Sequence, residues 1–522
     1  MLDDPLYQGC SYADLIDRAV RRWPDRTALV DGAEEVSYRE LGARIARVAR
    51  LFQARGLQPG EGVAQLSSNR VDAYVVMIAA LYAGLRYTPL HPMGSLEDQA
   101  YILEDAEIAA LVADAPSFAE RGRELKARGP HLRHVFTHGE TGYGEHLQAA
   151  MAAMPDTPFA PLAKAADICW LAYTGGTTGR SKGVMLPHRA MVTNVLMTLA
   201  EWQWPREIRL LAATPITHAA GAMIAPVLLR GGTVVMQPGF DAGKFLAAVE
   251  RHRITATFLV PTMIYVLLDH PKMKETDTSS LQMIVYGAAP MSPARLIEGL
   301  EVFGPVFMQL YAQTEAPNTV TVLRMEDHDP ERPERLASCG SPLAGIQVAL
   351  LDGEDREVPV GEVGEICVRG PLVMDGYWKR REETEQAFRG GWLHTGDMAR
   401  QDEEGFLYIV DRSKDMIISG GFNVYPREIE DVLTAHPAVA MAAVIGVPDE
   451  KWGEAVKAII VPRDGSSVTP EALIALVREK KGPVYAPKTV EFAEEIPVTP
   501  LGKPDKKAIR VRFWGSEGRQ VH

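Results

Sequence analysis

The sequence predicts an α/β protein that gives way to a β-rich part and then to a compact α+β unit, and three observations predict it. Helix-like and strand-like segments alternate through the first part of the chain, the signature of a largely parallel sheet. Two apolar runs, Met283-Ile284-Val285-Tyr286 and Val306-Phe307-Met308-Gln309-Leu310, lead straight into the turns Gly287–Pro290 and Tyr311–Glu315. Open α/β sheets bind ligands beyond the carboxyl ends of their strands, which makes both turns candidate site elements. From Gly340 onward the texture changes to short alternating strands between Gly, Pro and Asp turns.

Apolar spacing predicts a helix over Tyr12–Arg22, with Leu15, Ala19 and Val20 inward and Pro24-Asp25 ending it. Ala28–Val30 is a strand, Tyr38–Ala54 a helix closed by Gly56, Gly62–Leu66 a buried strand and Val71–Tyr82 the helix after it. Tyr101–Ala106 and Ala109–Ala113 repeat the alternation. Ile168–Ala172, Leu210–Pro215, Thr233–Met236 and Ala256–Val260 read as strands, and Phe245–Arg251 as a helix. The apolar stretches Ala73–Leu85 and Ala219–Leu229 are too short to span a bilayer and are expected as buried core helices. Strands over Gln347–Asp352, Gly364–Arg369 and Gly405–Val410 make the β-rich part. The last unit has helices at Arg427–Leu433 and Pro470–Lys480 and strands at Ala440–Val447, Ala455–Val461 and near Val490.

The chain has 522 residues, roughly three domain-sized units by the usual length prior. Its 46% hydrophobic and 24% charged residues are those of an ordinary globular protein. A net charge of −13 argues against nucleic acid as partner, because long phosphate surfaces need clustered Lys and Arg. Cys10, Cys169, Cys339 and Cys367 form no C-x-x-C pair, and the acidic start Met1–Pro5 lacks a signal-peptide pattern, so a cytoplasmic protein without a transmembrane segment is expected.

One stretch carries a sharper signal. Tyr173-Thr174-Gly175-Gly176-Thr177-Thr178-Gly179-Arg180-Ser181-Lys182-Gly183 follows the apolar run Ile168–Ala172. Glycines let backbone N–H groups converge on one anion, the threonines add hydroxyl donors and Lys182 adds a full charge, which suits the phosphates of a nucleotide. It is not the Walker pattern, whose lysine directly follows the last loop glycine. Gly179–Gly183 does match the nucleophile-elbow pattern G-x-S-x-G, so a serine hydrolase using Ser181 stays open as a rival. The basic neighbours Arg180 and Lys182 favour phosphate.

Taken together, Tyr173–Gly183, Gly287–Pro290, Tyr311–Glu315, Leu393-His394-Thr395-Gly396-Asp397, Asp411–Pro426 and Gly502-Lys503 resemble the motifs of the adenylate-forming superfamily, in the family's order. That superfamily includes acyl-CoA synthetases, firefly-type luciferases and the adenylation domains of peptide synthetases. The resemblance covers nearly the whole chain. It implies a large N-terminal domain of two α/β sheet subdomains plus a small β-barrel over 1–411, and a small mobile α+β C-terminal domain over 412–522.

The implied reaction has two halves. A carboxylate attacks the α-phosphate of ATP and expels pyrophosphate, and a thiol then attacks the carbonyl of the acyl-AMP. By resemblance Thr174, Gly175, Thr177, Thr178, Gly179 and Lys182 hold the β- and γ-phosphates, Glu315 is the Mg²⁺ ligand and Thr314 the hydroxyl beside the α-phosphate. Gly287, Ala288 and Ala289 line the adenine and acyl-carboxylate cleft, with Gln309, Leu310 and Tyr311 along the nucleotide. Asp397 accepts both ribose hydroxyls and Arg412 reaches the ribose, although His394–Asp397 taken alone reads as an ordinary turn. Lys503 carries adenylation, Lys414 is the hinge, and Gly420 and Gly421 let the pantetheine arm of coenzyme A pass closely.

Two positions depart from the common family pattern: Ser181 stands where proline is frequent, and Ala312 where glycine is usual. Ala312, Gly287, His218 and Ala219 fall at the acyl pocket, and their small neighbours imply a roomy site. The expected activity is an AMP-forming acid–CoA ligase for a medium-to-bulky acid, whether fatty, aryl-propenoid or cyclic, with ATP, Mg²⁺ and coenzyme A as co-substrates. The alternative acceptor is a carrier protein, which the absence of a fused carrier domain disfavours. A homodimer is the self-association open to such a chain.

Overall fold

The computed structural model describes residues 9–174, 181–412, 415–419, 422–449, 452–463, 465–498 and 504–514. Two α/β sheets fill the first part of the chain. The seven-stranded sheet runs in the order Glu145–His146, His134–His138, Ile108–Asp114, Gly62–Leu66, Arg86–Pro89, Ile168–Thr174, Lys182–Pro187. It is parallel up to its last, antiparallel pair. The nine-stranded sheet has a parallel centre, with Phe307–Gln313, Met283–Gly287, Ala256–Leu259, Arg209–Ala212, Thr233–Met236 and Thr27–Asp31 side by side. Antiparallel strands close both its ends.

The helices Tyr12–Arg22, Tyr38–Ala54 and Val71–Tyr82 fall at their predicted bounds. The first begins in a capping box, where Ser11 accepts the Asp14 N–H and Asp14 accepts the Ser11 N–H. Val71–Tyr82 is buried at every position but Asp72. Its Val75, Ile78 and Leu81 share one hydrophobic cluster with Val63 and Val112 of the smaller sheet and Leu210, Val234 and Val285 of the larger. Each such side chain contributes about 1.5–3 kcal/mol on full burial, so this helix ties the two sheets into one body. The apolar run Ala219–Leu229 differs from expectation. It is two short helices, Ala219–Ala222 and Ile224–Leu229, broken at Met223. Pro226, which lacks an N–H to continue a helix, sits in the first turn of the second.

Gln347–Leu351, Val363–Arg369, Leu393–Gln401 and Leu407–Arg412 form a four-stranded antiparallel sheet. Beyond it, the strands Val439–Asp449 and Gly453–Pro462 pack with the helices Pro426–Thr434 and Pro470–Lys481 around a separate cluster that includes Val444, Val456, Ile429 and Leu473. No helix among the described residues is long and apolar enough to cross a membrane.

Candidate active site

The site is built from the carboxyl end of the Phe307–Gln313 strand outward. Tyr311 and Gln313 lie two residues apart on that strand, and their side chains converge. Both donate to one carboxylate oxygen, Asp397 Oδ2, from Tyr311 Oη at 2.8 Å and from Gln313 Nε2 at 2.7 Å. Gln313 Nε2 also reaches the Thr395 carbonyl at 2.7 Å. Burial and the neighbouring Asp397 hold the Tyr311 phenol well above its usual range, so it stays a proton donor. Ala312 lies at the register shift between Tyr311 and Gln313, where the strand turns back into Ala316–Leu323. Thr314 and Glu315 form that turn, both half-buried.

His394–Asp397 is not the ordinary turn that its composition suggests. It lies inside the Leu393–Gln401 strand as a bulge. Between the pairs Cys367–His394 and Glu365–Met398, one residue, Ile366, faces three: Thr395, Gly396 and Asp397. Thr395 Oγ1 donates to the Ile366 carbonyl at 2.7 Å and accepts the Asp397 N–H at 3.1 Å. Gly396 adopts φ +74°, a left-handed conformation that glycine takes without strain. The bulge re-aims Asp397 inward, where it is buried against Tyr311. Arg412 pairs with Asp397 across the sheet, but its side chain lies outside the described part.

Next to this strand, Met283–Gly287 pairs with Phe307–Gln313 and opens into Ala288 and Ala289. A Cβ on Gly287 would stand 2.6 Å from the Leu310 carbonyl oxygen, so only glycine permits this spacing of the two strands. Ala288 takes φ +63° and is exposed, and Ala289 is half-buried. Gln309 and Leu310 are buried within the sheet.

The two ends of the glycine-rich stretch lie in paired strands. Thr174 pairs with Lys182 across the antiparallel strands Ile168–Thr174 and Lys182–Pro187. Gly175, Thr177, Thr178 and Gly179 lie outside the described residues, as do Lys414, Gly420, Gly421 and Lys503. The elbow reading of Ser181 loses its context, since that motif needs a strand–turn–helix and here a strand follows. Ser181 Oγ is buried, with no hydrogen-bond partner among the described residues to act as its base.

One residue outside the motifs, Tyr377, joins these parts. Tyr377 Oη donates to Glu315 Oε1 at 2.9 Å, and the Tyr377 ring lies 4.9 Å from Lys182 Nζ. Burial and Glu315 push this phenol upward, so it too remains a donor. Its segment is zipped to the hairpin strand by Met185 N–H to Gly376 O at 2.9 Å and Trp378 N–H to Gly183 O at 2.7 Å. Gln313 was within reach of sequence reasoning through its two-residue spacing from Tyr311. Tyr377 had no such signal.

His218 sits where buried Asn69 pins a loop, donating to Ala212 O at 3.1 Å and Thr214 O at 2.8 Å and accepting from Ile216 N–H at 2.9 Å. Its ring keeps solvent contact and lies 4.9 Å from that of His91. Crowding by protein and the adjacent His91 lower its pKa, so it is neutral at pH 7. The Ala219–Ala222 turn of helix that follows packs on the Ala316–Leu323 strand; the Ala219 side chain lies outside the described part.

Paired strands flanking a glycine- and threonine-rich stretch, a strand-end turn carrying Glu315 and a buried carboxylate aimed by a bulge suit a nucleotide-dependent carboxylate-activating ligase. The comparisons agree. Residues 16–378 match the AMP-binding enzyme family and residues 428–503 its C-terminal domain. The chain belongs to this family, in the acid–CoA ligase branch of the adenylate-forming superfamily, and is an ATP-dependent acid–thiol ligase. It is 43% identical to a medium/long-chain-fatty-acid–CoA ligase, FadD8, of Mycobacterium tuberculosis, over 100% of this chain and 92% of that protein. It is 40% identical to a feruloyl-CoA synthase of Amycolatopsis sp., over 95% of this chain and 98% of that protein. Among solved structures, the amide bond synthetase McbA of Marinactinospora thermotolerans superposes with a TM-score of 0.88 at 36% identity, covering 96% of this chain and 99% of that one.

Proposed function

We propose that this ligase converts a medium-to-bulky carboxylic acid, fatty, aryl-propenoid or cyclic, into its coenzyme A thioester through an acyl-AMP. The acid's oxygen bonds to the α-phosphorus of ATP as the bond to pyrophosphate breaks. The thiol sulfur of coenzyme A then bonds to the carbonyl carbon, and AMP leaves with the acid's oxygen. The observation that carries this reading is the Phe307–Glu315 strand and turn, which sets Tyr311 and Gln313 against Asp397 and Glu315 against Tyr377.

In this reading Asp397 receives the ribose hydroxyls, the 174–182 stretch with Lys182 holds the departing phosphates, and Gly287–Ala289 face the adenine and the acyl carboxylate. The oxygen donors at the turn, the Glu315 carboxylate and Thr314 hydroxyl, fit a hard cation such as Mg²⁺. When bound, that ion neutralises phosphate charge. The neutral His218, the small Ala312 and the names of the relatives support an apolar acid of medium size or larger.

We place the boundary between the nucleotide-holding domain and the C-terminal domain after residue 411. It is supported by the gap between the two family matches and by the separate core around Val444 and Ile429. Asp411 accepts the Arg427 N–H at 3.1 Å, so the last strand of the first domain meets the first helix of the second. Phe422, 59% exposed, directly follows in sequence Gly420 and Gly421, the residues assigned to the approach of the pantetheine arm. Free thiols at all four cysteines suit a cytoplasmic enzyme.

The test is a panel of fatty, cinnamic-type and polycyclic acids, each with ATP and either coenzyme A, an acyl carrier protein or an amine. Acid-dependent pyrophosphate release with thioester formation on coenzyme A is expected, roughly tenfold stronger for the medium-chain, cinnamic-type and polycyclic acids than for acetate. Turnover only with carrier protein or amine would overturn the acceptor, and preference for acetate would overturn the acid class.

A further inference from the structure

The bulge that presents Asp397 is held from behind by a carboxylate outside the nucleotide motifs. Glu365 Oε1 accepts the Gly396 N–H at 2.8 Å. Its Oε2 lies 2.8 Å from His394 Nδ1 and 3.1 Å from the Arg389 guanidinium. Arg389 is itself fixed by Asp355 at 3.0 Å, and His394 Nε2 lies 3.2 Å from the Arg389 carbonyl. One side chain therefore attaches both to His394, at the start of the bulge, and to Gly396, its middle residue.

Glu365, Cys367 and His394 also offer ligand atoms that all lie within 4.8 Å of one another. A cation does not explain them well. Both Glu365 oxygens already receive protein donors, one of them a guanidinium, and burial pushes the Cys367 thiol up to about 12, against the thiolate a metal needs. The same contacts explain a clamp. Three residues facing one, with a glycine among them, leave the bulge many shapes, and glycine loses the most conformational freedom on being fixed. Charge-assisted bonds to a carboxylate are the strong ones, and Glu365 makes them at the residue directly before Asp397.

We propose that Glu365 is a positioning residue for nucleotide recognition: through Gly396 and His394 it fixes the bulge so that Asp397 meets the two ribose hydroxyls. The inference rests on the ribose role of Asp397, and the experiment separates the two. Pyrophosphate release is measured at varied ATP, 2′-deoxy-ATP and 3′-deoxy-ATP, with direct calorimetric binding of each nucleotide. Wild type should prefer ATP, and Asp397→Asn should lose that preference. Glu365→Ala should raise the KM for ATP by about tenfold, equivalent to one charge-assisted hydrogen bond, and that for each deoxy analogue, which keeps one of the two hydroxyls, by only about threefold, with kcat within about threefold.

Glu365→Asp keeps the charge but draws it back from Gly396 by one methylene, and should lose the preference in the same way. Glu365→Gln, whose amide oxygen still accepts the Gly396 N–H but whose NH2 cannot accept from Arg389, should restore part of it. Melting temperatures accompany each variant, and the Asp and Gln variants decide the matter if the alanine variant does not fold. Equal KM increases for ATP and both analogues would overturn the inference. So would a wild-type preference in Glu365→Asp while Asp397→Asn has lost it. If Asp397→Asn keeps the preference, the ribose role itself fails and the Glu365 inference falls with it.

Discussion

Replacing Lys503 with alanine should cut acid-dependent pyrophosphate release by about 100- to 1,000-fold, the usual cost of removing one donor aimed at transition-state charge. Thioester formation from a supplied acyl-AMP should stay within about threefold of wild type. The split follows from the chemistry of the two halves. Negative charge shifts at the α-phosphate only while pyrophosphate is leaving, and a second ammonium there matters only in that step. Attack of a thiol on the acyl-AMP carbonyl builds charge at a different atom. Both rates are read on the same preparation by stopped assays for pyrophosphate and thioester. Equal loss of both halves would remove the assigned role.

Glu315→Gln should be nearly as damaging. Glutamine keeps the shape and its amide oxygen can still accept from Tyr377 Oη, so folding and the Tyr377 contact should survive. The lost charge is what a divalent cation on the phosphates requires. The expected result is a fall in kcat of about a hundredfold and a Mg²⁺ requirement raised about tenfold, read by titrating the metal at fixed ATP. Calorimetric binding of ATP without metal should change little. A variant with normal metal dependence would place the cation elsewhere.

Much of this site was legible because strand ends carry it. Met283–Tyr286 and Val306–Leu310 are apolar runs with abrupt polar or small endings, and the α/β rule points to exactly that edge of a sheet. The helices Tyr12–Arg22, Tyr38–Ala54 and Val71–Tyr82 were equally plain, since their apolar spacing, or near-continuous apolarity, is bounded by breakers. The Leu393–Asp397 strand was hidden because Thr-Gly-Asp has the composition of a turn. Its sheet pairing is decided by Val363–Arg369, which no local pattern reports.

Glu365 and Tyr377 were hidden for a related reason. Tyr377 meets Glu315 across 62 residues of sequence, and Glu365 meets Gly396 across 31. Each sits in a segment whose composition says only strand or loop. The Ala219–Leu229 run misled in the opposite way: its apolarity was real, but proline placement cut it into two short helices. Burial was readable from composition, whereas the partners of polar side chains were fixed only by the fold.

The central claim, that the acid's own oxygen attacks the α-phosphorus of ATP, is tested most directly by following that oxygen. The acid, carrying heavy oxygen in its carboxylate, is turned over with ATP and coenzyme A, and the products are weighed by mass spectrometry. An acyl-AMP route predicts one heavy oxygen in AMP for every thioester formed, with none in pyrophosphate. Heavy oxygen in inorganic phosphate together with ADP, or unlabelled AMP beside labelled thioester, would contradict it.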